Sequence, residues 1–406
     1  MISVEEHLAR ILQTVRPLPP FELGVLEAQG CVLAADVTAQ GQLPGFTNSA
    51  MDGYAVHAAD LDGASADAPV VLPVVTDIAA GNTNALSLAP GQTMRIMTGA
   101  PMPRGADAVV PVEQTDGGVV HVSLRMAPAV GQHVRRAGED VEAGEVILRA
   151  GTLLGPGQIA LLAAAGAARV QVVPKPRVVV LSTGDELVEP GKEPGFGQVV
   201  DSNSLMLAAA VRAVGATPFR VGGVPDDARQ LMETLEAQLA RADAIITTGG
   251  VSMGAFDTVK EVLSQVGTVQ FDKVAMRPGM PQGFGVLGAQ EVPVFTLPGN
   301  PVSALVSFHV FVAPALRAMA GRPEKAWPPG FVPATAAASW PSVEGKMEFT
   351  RVVFDDDRVR PAGGQGSHML GALAAADALA VVPPEVSQVD EGDELLCLPL
   401  LGTDAP

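Results

Sequence analysis

The sequence predicts a multidomain α/β plus β protein, with a parallel α/β domain, an inserted β-rich domain and a small C-terminal β-barrel domain. Three observations predict it. Between residues 175 and about 322, continuous apolar runs alternate with amphipathic segments. On either side of that region the chain breaks into short β-branched runs separated by Gly and Pro. At 406 residues the chain is also much longer than one core requires.

The elements follow in order. Ser3 and Glu6 form a capping box, and Val4, Leu8, Ile11, Leu12 and Val15 recur at helical spacing until Pro17, Pro19 and Pro20 stop the helix. From 21 to 174 the pattern is mostly β, with runs at 69–75, 93–97, 108–112 and 119–124 and one short helix at 155–168. In the α/β region, strands are predicted at 177–181, 244–248 and 292–297, and helices at 204–214, 227–241, 256–266 and 302–320. After Pro323, strands are predicted at 349–354, 379–382 and 394–398, which suits a small barrel or sandwich. The expected domains are a β linker (21–43 and 141–174), an insertion (44–140), the α/β domain (1–20 and 175–323) and the C-terminal β domain (324–406).

Composition narrows the function. With 44 acidic against 26 basic residues, a formal net charge of -18 argues against nucleic acid as a partner. A phosphate ligand would therefore need local help from Arg, backbone N–H groups or a cation held by carboxylates. The two cysteines, Cys31 and Cys397, support neither a disulfide framework nor a Cys-based metal cage. The amino terminus carries acid where a signal peptide carries base, so a cytoplasmic protein is expected. The longest apolar stretch, 302–316, is broken by His309 and Pro314; it reads as a buried helix and no membrane is expected.

Ligands of open parallel sheets bind beyond the carboxyl ends of the strands, so the turns there carry the functional signal. Three such turns pair glycine with hydroxyls. They are Ser182-Thr183-Gly184-Asp185-Glu186, Thr248-Gly249-Gly250-Val251-Ser252, and Leu297-Pro298-Gly299-Asn300-Pro301-Val302-Ser303. Glycine lets backbone N–H groups approach an anion, and the following helix offers its positive end. Asn300 suits an N-cap and Pro301 the first helical position. Neither a Walker A sequence nor GxGxxG occurs. Gly250-Val251-Ser252-Met253-Gly254 matches the nucleophile elbow of serine hydrolases, but of the downstream histidines His309 falls mid-helix and His368 in the separate β domain. The carboxylates of Asp185, Glu186, Asp201, Asp226, Asp227 and Asp257 lie near the same turns; singly each reads as a cap or solvated turn, and together they suggest Mg²⁺.

Six motifs in order resemble the molybdopterin molybdenumtransferase family, the MoeA and gephyrin E-domain group. They are Asn48-Ser49-Ala50-Met51-Asp52-Gly53-Tyr54-Ala55, Met97-Thr98-Gly99-Ala100-Pro101 with Gly105-Ala106-Asp107-Ala108-Val109-Val110, Arg136-Ala137-Gly138-Glu139-Asp140, and the three turns above. The resemblance covers essentially the whole chain. It implies a molybdopterin-binding-like α/β domain and a homodimer whose cleft combines the α/β and terminal domains of one subunit with the inserted domain of its partner. It implies molybdate and adenylated molybdopterin as substrates, Mg²⁺-dependent hydrolysis of the adenylate, and the upstream molybdopterin adenylyltransferase as a further partner. It assigns catalytic roles to Asp52, Asp140, Glu186, Asp226 and Asp257, with Glu186 and Asp257 holding the metal. Substrate-binding roles fall on Thr98, Ser182, Thr183, Gly184, Gly249, Gly250, Ser252, Arg277, Pro298, Gly299, Asn300 and Pro301, with Ser303, Arg351 and Ser367 at the oxyanion pocket.

The chain departs from the family pattern at Arg277-Pro278-Gly279-Met280-Pro281, where many members read Lys-Pro-Gly-Lys-Pro. One cation is kept as Arg and the other is replaced by an apolar thioether. Lys346 stands where Arg is usual. A tungstate-specific or non-catalytic scaffold paralogue and a serine hydrolase using Ser252 are the alternative readings.

Overall fold

The computed structural model describes residues 1–249, 258–266, 268–322 and 330–400. The chain forms two compact units, one of residues 1–21, 30–32 and 172–406 and the other of residues 22–29 and 33–171.

The first unit is built on a six-stranded sheet in the order Thr217–Val224, Arg177–Thr183, Ala244–Thr248, Val292–Leu297, Pro281–Leu287, Gln270–Lys273. The first four strands are parallel and the last two antiparallel. The antiparallel pair and the parallel edge strand are absent from the sequence expectation; Gly283, Gly285, Gly222 and Gly223 interrupt their apolar runs. The central strands are buried on both faces, which is why their runs are continuous rather than alternating. Val178, Val180, Ala244, Ile246, Phe295 and Leu297 face one core, and Val179, Leu181, Ile245, Val292 and Val294 face the other.

Helices cover both faces. Val4–Thr14, Asn203–Ala213 and the Pro301–Met319 segment contribute to the first core, and Ala228–Leu239 and Thr258–Val266 to the second. In the amino-terminal helix, Ser3 Oγ accepts from the Glu6 N–H at 3.0 Å. His7 is buried on its inner face, while Leu12, expected there, is exposed. The Pro301–Met319 helix runs through Pro314, with a π-helical stretch at Phe308–Val312 in which His309 is buried. It is long and apolar enough to cross a membrane, yet 83% of its most apolar window lies inside the fold. Its apolarity is that of a core helix.

The C-terminal part of this unit is a closed barrel. Met347–Asp355, Arg358–Pro361, Val332–Ala336, Glu394–Pro399 and Ala378–Val382 pair in that order, and the last returns to the first. Two of these strands, Val332–Ala336 and Arg358–Pro361, escape the sequence reading because they are short and carry Pro or Arg. Side chains alternate along Ala378–Val382: Ala378, Ala380 and Val382 fill the barrel, whereas Leu379 and Val381 join the core of the α/β domain. The barrel and the α/β domain thus share one core.

In the second unit, a five-stranded sheet runs Ala108–Pro111, Gly53–Val56, Thr93–Ile96, Val70–Ile78, His121–Leu124. Tyr54 and Val56 face one apolar cluster and Ala55 the other. Gly53–Val56 was not expected as a strand. A Cβ at Gly53 would lie 2.1 Å from the Val110 carbonyl oxygen, so glycine is what lets the neighbouring strand approach. The remainder of this unit pairs Val146–Leu148 with Val37–Thr38 and carries the helix Pro156–Ala164.

Candidate functional site

The parallel strands of the first unit end on one side in a cavity of about 280 Å³ lined by the three predicted turns. A larger cavity of about 610 Å³ lies at the opposite strand ends, around Arg177, Asp243 and Val292, and contains none of the predicted residues. Ligands of such sheets bind at the carboxyl ends, so the smaller cavity is the candidate site.

Ser182, Thr183 and Glu186 from the first turn, Thr248 and Gly249 from the second, and Gly299, Asn300 and Pro301 from the third line it. The turns touch. The Gly249 N–H donates to the Leu297 carbonyl at 3.3 Å, and the Thr248 hydroxyl donates to the Pro298 carbonyl at 3.2 Å. Gly249 has φ +96°, and a Cβ there would lie 2.8 Å from the Thr183 carbonyl, so only glycine fits between the first and second turns. Asn300 occupies the N-cap position and Pro301 the first turn, as expected, but the Asn300 side chain makes no capping hydrogen bond and borders the cavity instead. Gly184 is buried, its N–H on the Val224 carbonyl. Gly250, Ser252 and Asp257 lie outside the described residues.

The acids separate by role. Asp227 caps the helix Ala228–Leu239, accepting from the Gln230 N–H at 2.8 Å. Asp201 is buried and accepts from Ser182 Oγ and Ser204 Oγ, both at 2.6 Å, and from Arg220 Nη2 at 3.3 Å. Burial alone would raise its pKa, but these hydrogen bonds outweigh it and hold the carboxyl below the usual range. Both acids therefore leave the predicted metal group. Asp185, Glu186 and Asp226 remain. Asp185 accepts from the Asp226 N–H at 3.1 Å, and the Asp226 carboxyl is pushed up by partial desolvation and then by the charges of Asp185 and Glu186. Among the described residues no three His, Cys, Asp or Glu side chains form a closed metal cage.

The residue that sequence reasoning missed is Asn203. Its Nδ2 donates to Thr248 Oγ1 at 3.0 Å and to the Gly299 carbonyl at 2.6 Å, joining the second and third turns. The available signal was the polar run Asp201-Ser202-Asn203-Ser204 immediately before an apolar helix.

The barrel reaches the same helix terminus. The Ser367 carbonyl accepts from the Val302 N–H at 3.1 Å, so the loop 363–369 sits beside Ser303, which is buried in the first turn. This brings the exposed His368 into the neighbourhood of the α/β turns rather than leaving it in a separate domain. His309 does not share that position: burial pushes its pKa down to about 4 within the core helix. Arg351 is 1% exposed, and its guanidinium donates to the carbonyls of Gly364, Gly366 and Met369, the shortest at 2.7 Å. Its donors hold the loop. Arg277 is half-exposed, 3.5 Å from Glu348, which also accepts from Ser342 Oγ and the Val343 N–H. Met280 and Lys346 are half-buried.

In the second unit, Thr98 donates to one oxygen of Asp52 from both its N–H and its hydroxyl, each at 2.7 Å. These bonds hold the exposed Asp52 carboxyl below its ordinary pKa. Asp140 is exposed, its N–H on the Leu43 carbonyl.

Comparison with known proteins agrees in extent and order. Residues 2–166 match the family model described as MoeA N-terminal region (domain I and II), 179–318 the probable molybdopterin binding domain, and 333–400 the MoeA C-terminal region (domain IV). The chain is 46% identical over 403 residues to molybdopterin molybdenumtransferase 2 of Mycobacterium tuberculosis (strain ATCC 25618 / H37Rv), covering 97% of this chain and 98% of that protein. It is 42% identical over 420 residues to molybdopterin molybdenumtransferase 1 of the same strain, covering 97% of each. The crystal structure of the molybdopterin biosynthesis MoeA protein from Pyrococcus horikoshii OT3 superposes with a TM-score of 0.78 at 31% identity, over 98% of this chain and all of that one. Three turns gathered at one end of a mixed sheet, a barrel loop seated on the third of them, and full-length relatives in the same domain order place this chain in the molybdopterin molybdenumtransferase family, whose members are transferases.

Proposed function

We propose that this protein inserts molybdenum from molybdate into adenylated molybdopterin, hydrolysing the adenylate with Mg²⁺ to release molybdenum cofactor and AMP. The observation that carries this reading is the cavity at the carboxyl ends of the strands, lined by the glycine–hydroxyl turns and by Glu186, whose charge acts on the carboxyl of Asp226. The relatives' printed names supply the reaction class.

The turns would bind the pterin and its phosphates through backbone N–H groups and the hydroxyl of Thr183, which has no hydrogen-bond partner among the described residues. The hydroxyls of Ser182 and Thr248 already donate to Asp201 and the Pro298 carbonyl. Glu186 and Asp226, with Asp257, are hard oxygen donors of the kind a divalent cation takes, and their crowded charge is what such a cation relieves. Bound there, Mg²⁺ supplies positive charge to the phosphate oxygens during hydrolysis. The helix terminus at Pro301, with Ser303 and Ser367 beside it, suits a tetrahedral oxyanion, for which Arg277 would supply positive charge. Asp52, Thr98 and Asp140 would serve from a second subunit of a homodimer, and the upstream adenylyltransferase would deliver the adenylate.

A tungstate-selective variant of the same reaction is the second reading; Met280 brings no charge to the oxyanion segment, which weakens its hold on either oxyanion and makes the choice between them a matter for direct comparison. Purified protein incubated with adenylated molybdopterin and Mg²⁺ should release AMP on addition of molybdate. Release with tungstate alone would favour the second reading, and binding without release under either oxyanion would reject both.

A further inference from the structure

Residues Asp201 and Asn203 connect parts of the molecule that are far apart in sequence. Asp201 fastens Ser182, at the end of the strand Arg177–Thr183, to Ser204, at the start of the helix Asn203–Ala213. It accepts from both hydroxyls and from the Ser204 N–H at 3.1 Å. Arg220, from the edge strand, closes the network through Asp201, Ser204 Oγ at 2.6 Å and both oxygens of Glu189 at 2.8 Å. With its neighbours so held, Asn203 has little freedom. Its amide nitrogen meets two acceptors, Thr248 Oγ1 and the Gly299 carbonyl, and its orientation is set because the reversed amide would place oxygen against that carbonyl.

We propose that Asn203 is the positioning residue of the cavity: seated by Asp201, it holds the second and third turns at the separation the ligand requires. The inference rests on the function proposed above for what the cavity binds, but not for the geometry it controls. The second and third turns already meet through the Gly249 N–H on the Leu297 carbonyl and the Thr248 hydroxyl on the Pro298 carbonyl, and the amide of Asn203 adds two further hydrogen bonds that tie this pair to the helix Asn203–Ala213. The role depends on donation, not on volume.

That distinction supplies the test. Asn203→Asp keeps the shape but sets a carboxylate oxygen against the Gly299 carbonyl, whereas Asn203→Ala only removes the donor. Amide hydrogen exchange of the unliganded protein should rise about tenfold at Thr248, Gly249, Gly299, Asn300 and Val302 in both variants, with the central strands unchanged. Adenylated molybdopterin should bind about tenfold more weakly, with Asn203→Asp at least as impaired as Asn203→Ala. Thr248→Val removes both an acceptor of Asn203 and the direct bond to the Pro298 carbonyl, so it should loosen the same two turns at least as much as Asn203→Ala does. Unchanged exchange in those turns, or an Asn203→Asp protein that behaves as wild type, would overturn the proposal. If the wild-type protein does not bind the adenylate, the proposed function fails while the exchange measurement still decides the role of Asn203.

Discussion

Two buried histidines tie stability to pH. His7 is pushed down to about 4 by burial and then by the charge of Arg10, against an opposing pull from Asp272, and His309 is pushed down to about 4 by burial and then by Arg317. An unfolded histidine titrates near 6.5, so below that pH the unfolded chain binds protons that the folded chain refuses. The stability is fully present above about 6.5 and is lost as pH falls towards 4, at roughly 3 kcal/mol per histidine over the whole window. Urea midpoints should therefore decline between pH 6.5 and 4.5, and more shallowly in His309→Leu; equal slopes would contradict the burial argument. Asp226 is the complementary case, a carboxyl pushed up beside Asp185 and Glu186. Asp226→Asn should cut AMP release on the order of 100-fold while leaving the melting temperature unchanged or slightly raised, because it removes a repelled charge. Loss of activity accompanied by loss of fold would assign it a structural role.

At the scale of single elements, glycines mark where backbones approach most closely. Gly249→Ala forces a side chain into a left-handed conformation and against the Thr183 carbonyl, with an expected cost of about 1–3 kcal/mol and a narrowed cavity. Denaturant titration and ligand affinity measure the two consequences separately. The amino-terminal helix offers a milder case. Ser3→Ala removes the acceptor of the Glu6 N–H and should cost about 1 kcal/mol, read from the shift in the urea midpoint. The elements most legible in sequence were those with a strong period, such as the helices Asn203–Ala213 and Ala228–Leu239 and the doubly buried central strands. The strands Gly53–Val56, Arg358–Pro361 and Pro281–Leu287 were not, because glycine, arginine or proline interrupts their apolar pattern, although Tyr54, Val359 and Phe284 are buried in the core.

Across the first unit, the α/β domain and the barrel share a core to which Phe349, Leu373, Leu379 and Leu400 contribute beside Phe295, Leu297 and Val306. Phe349→Ala should cost about 3–5 kcal/mol. Because the core is common, the loss should appear in one cooperative transition of barrel and α/β domain together. Two transitions, with only the barrel moved, would show that the shared core does not couple them. The candidate site depends on the same arrangement, since the barrel loop 363–369 reaches the helix at Pro301 through the Ser367–Val302 hydrogen bond and is itself held by Arg351.

Sequence alone determined the class of this protein: the periods of its helices and strands, the three glycine–hydroxyl turns and the order of six motifs sufficed for the fold and the family. Tertiary structure decided which members of those motifs act together. Asp201 and Asp227 read as possible cation ligands until Ser182, Ser204, Arg220 and the Gln230 N–H were seen to occupy them. Arg351 read as an oxyanion ligand until its donors were found on loop carbonyls. Asn203 carried only the polar run Asp201-Ser202-Asn203-Ser204 before its helix, which does not distinguish it from its neighbours. The physical reason is common to all three cases. The role of a polar side chain is set by the partners that satisfy it; the cap at Asp227 is local and was readable singly, but other partners lie up to 96 residues away in sequence, where no local period or spacing records them.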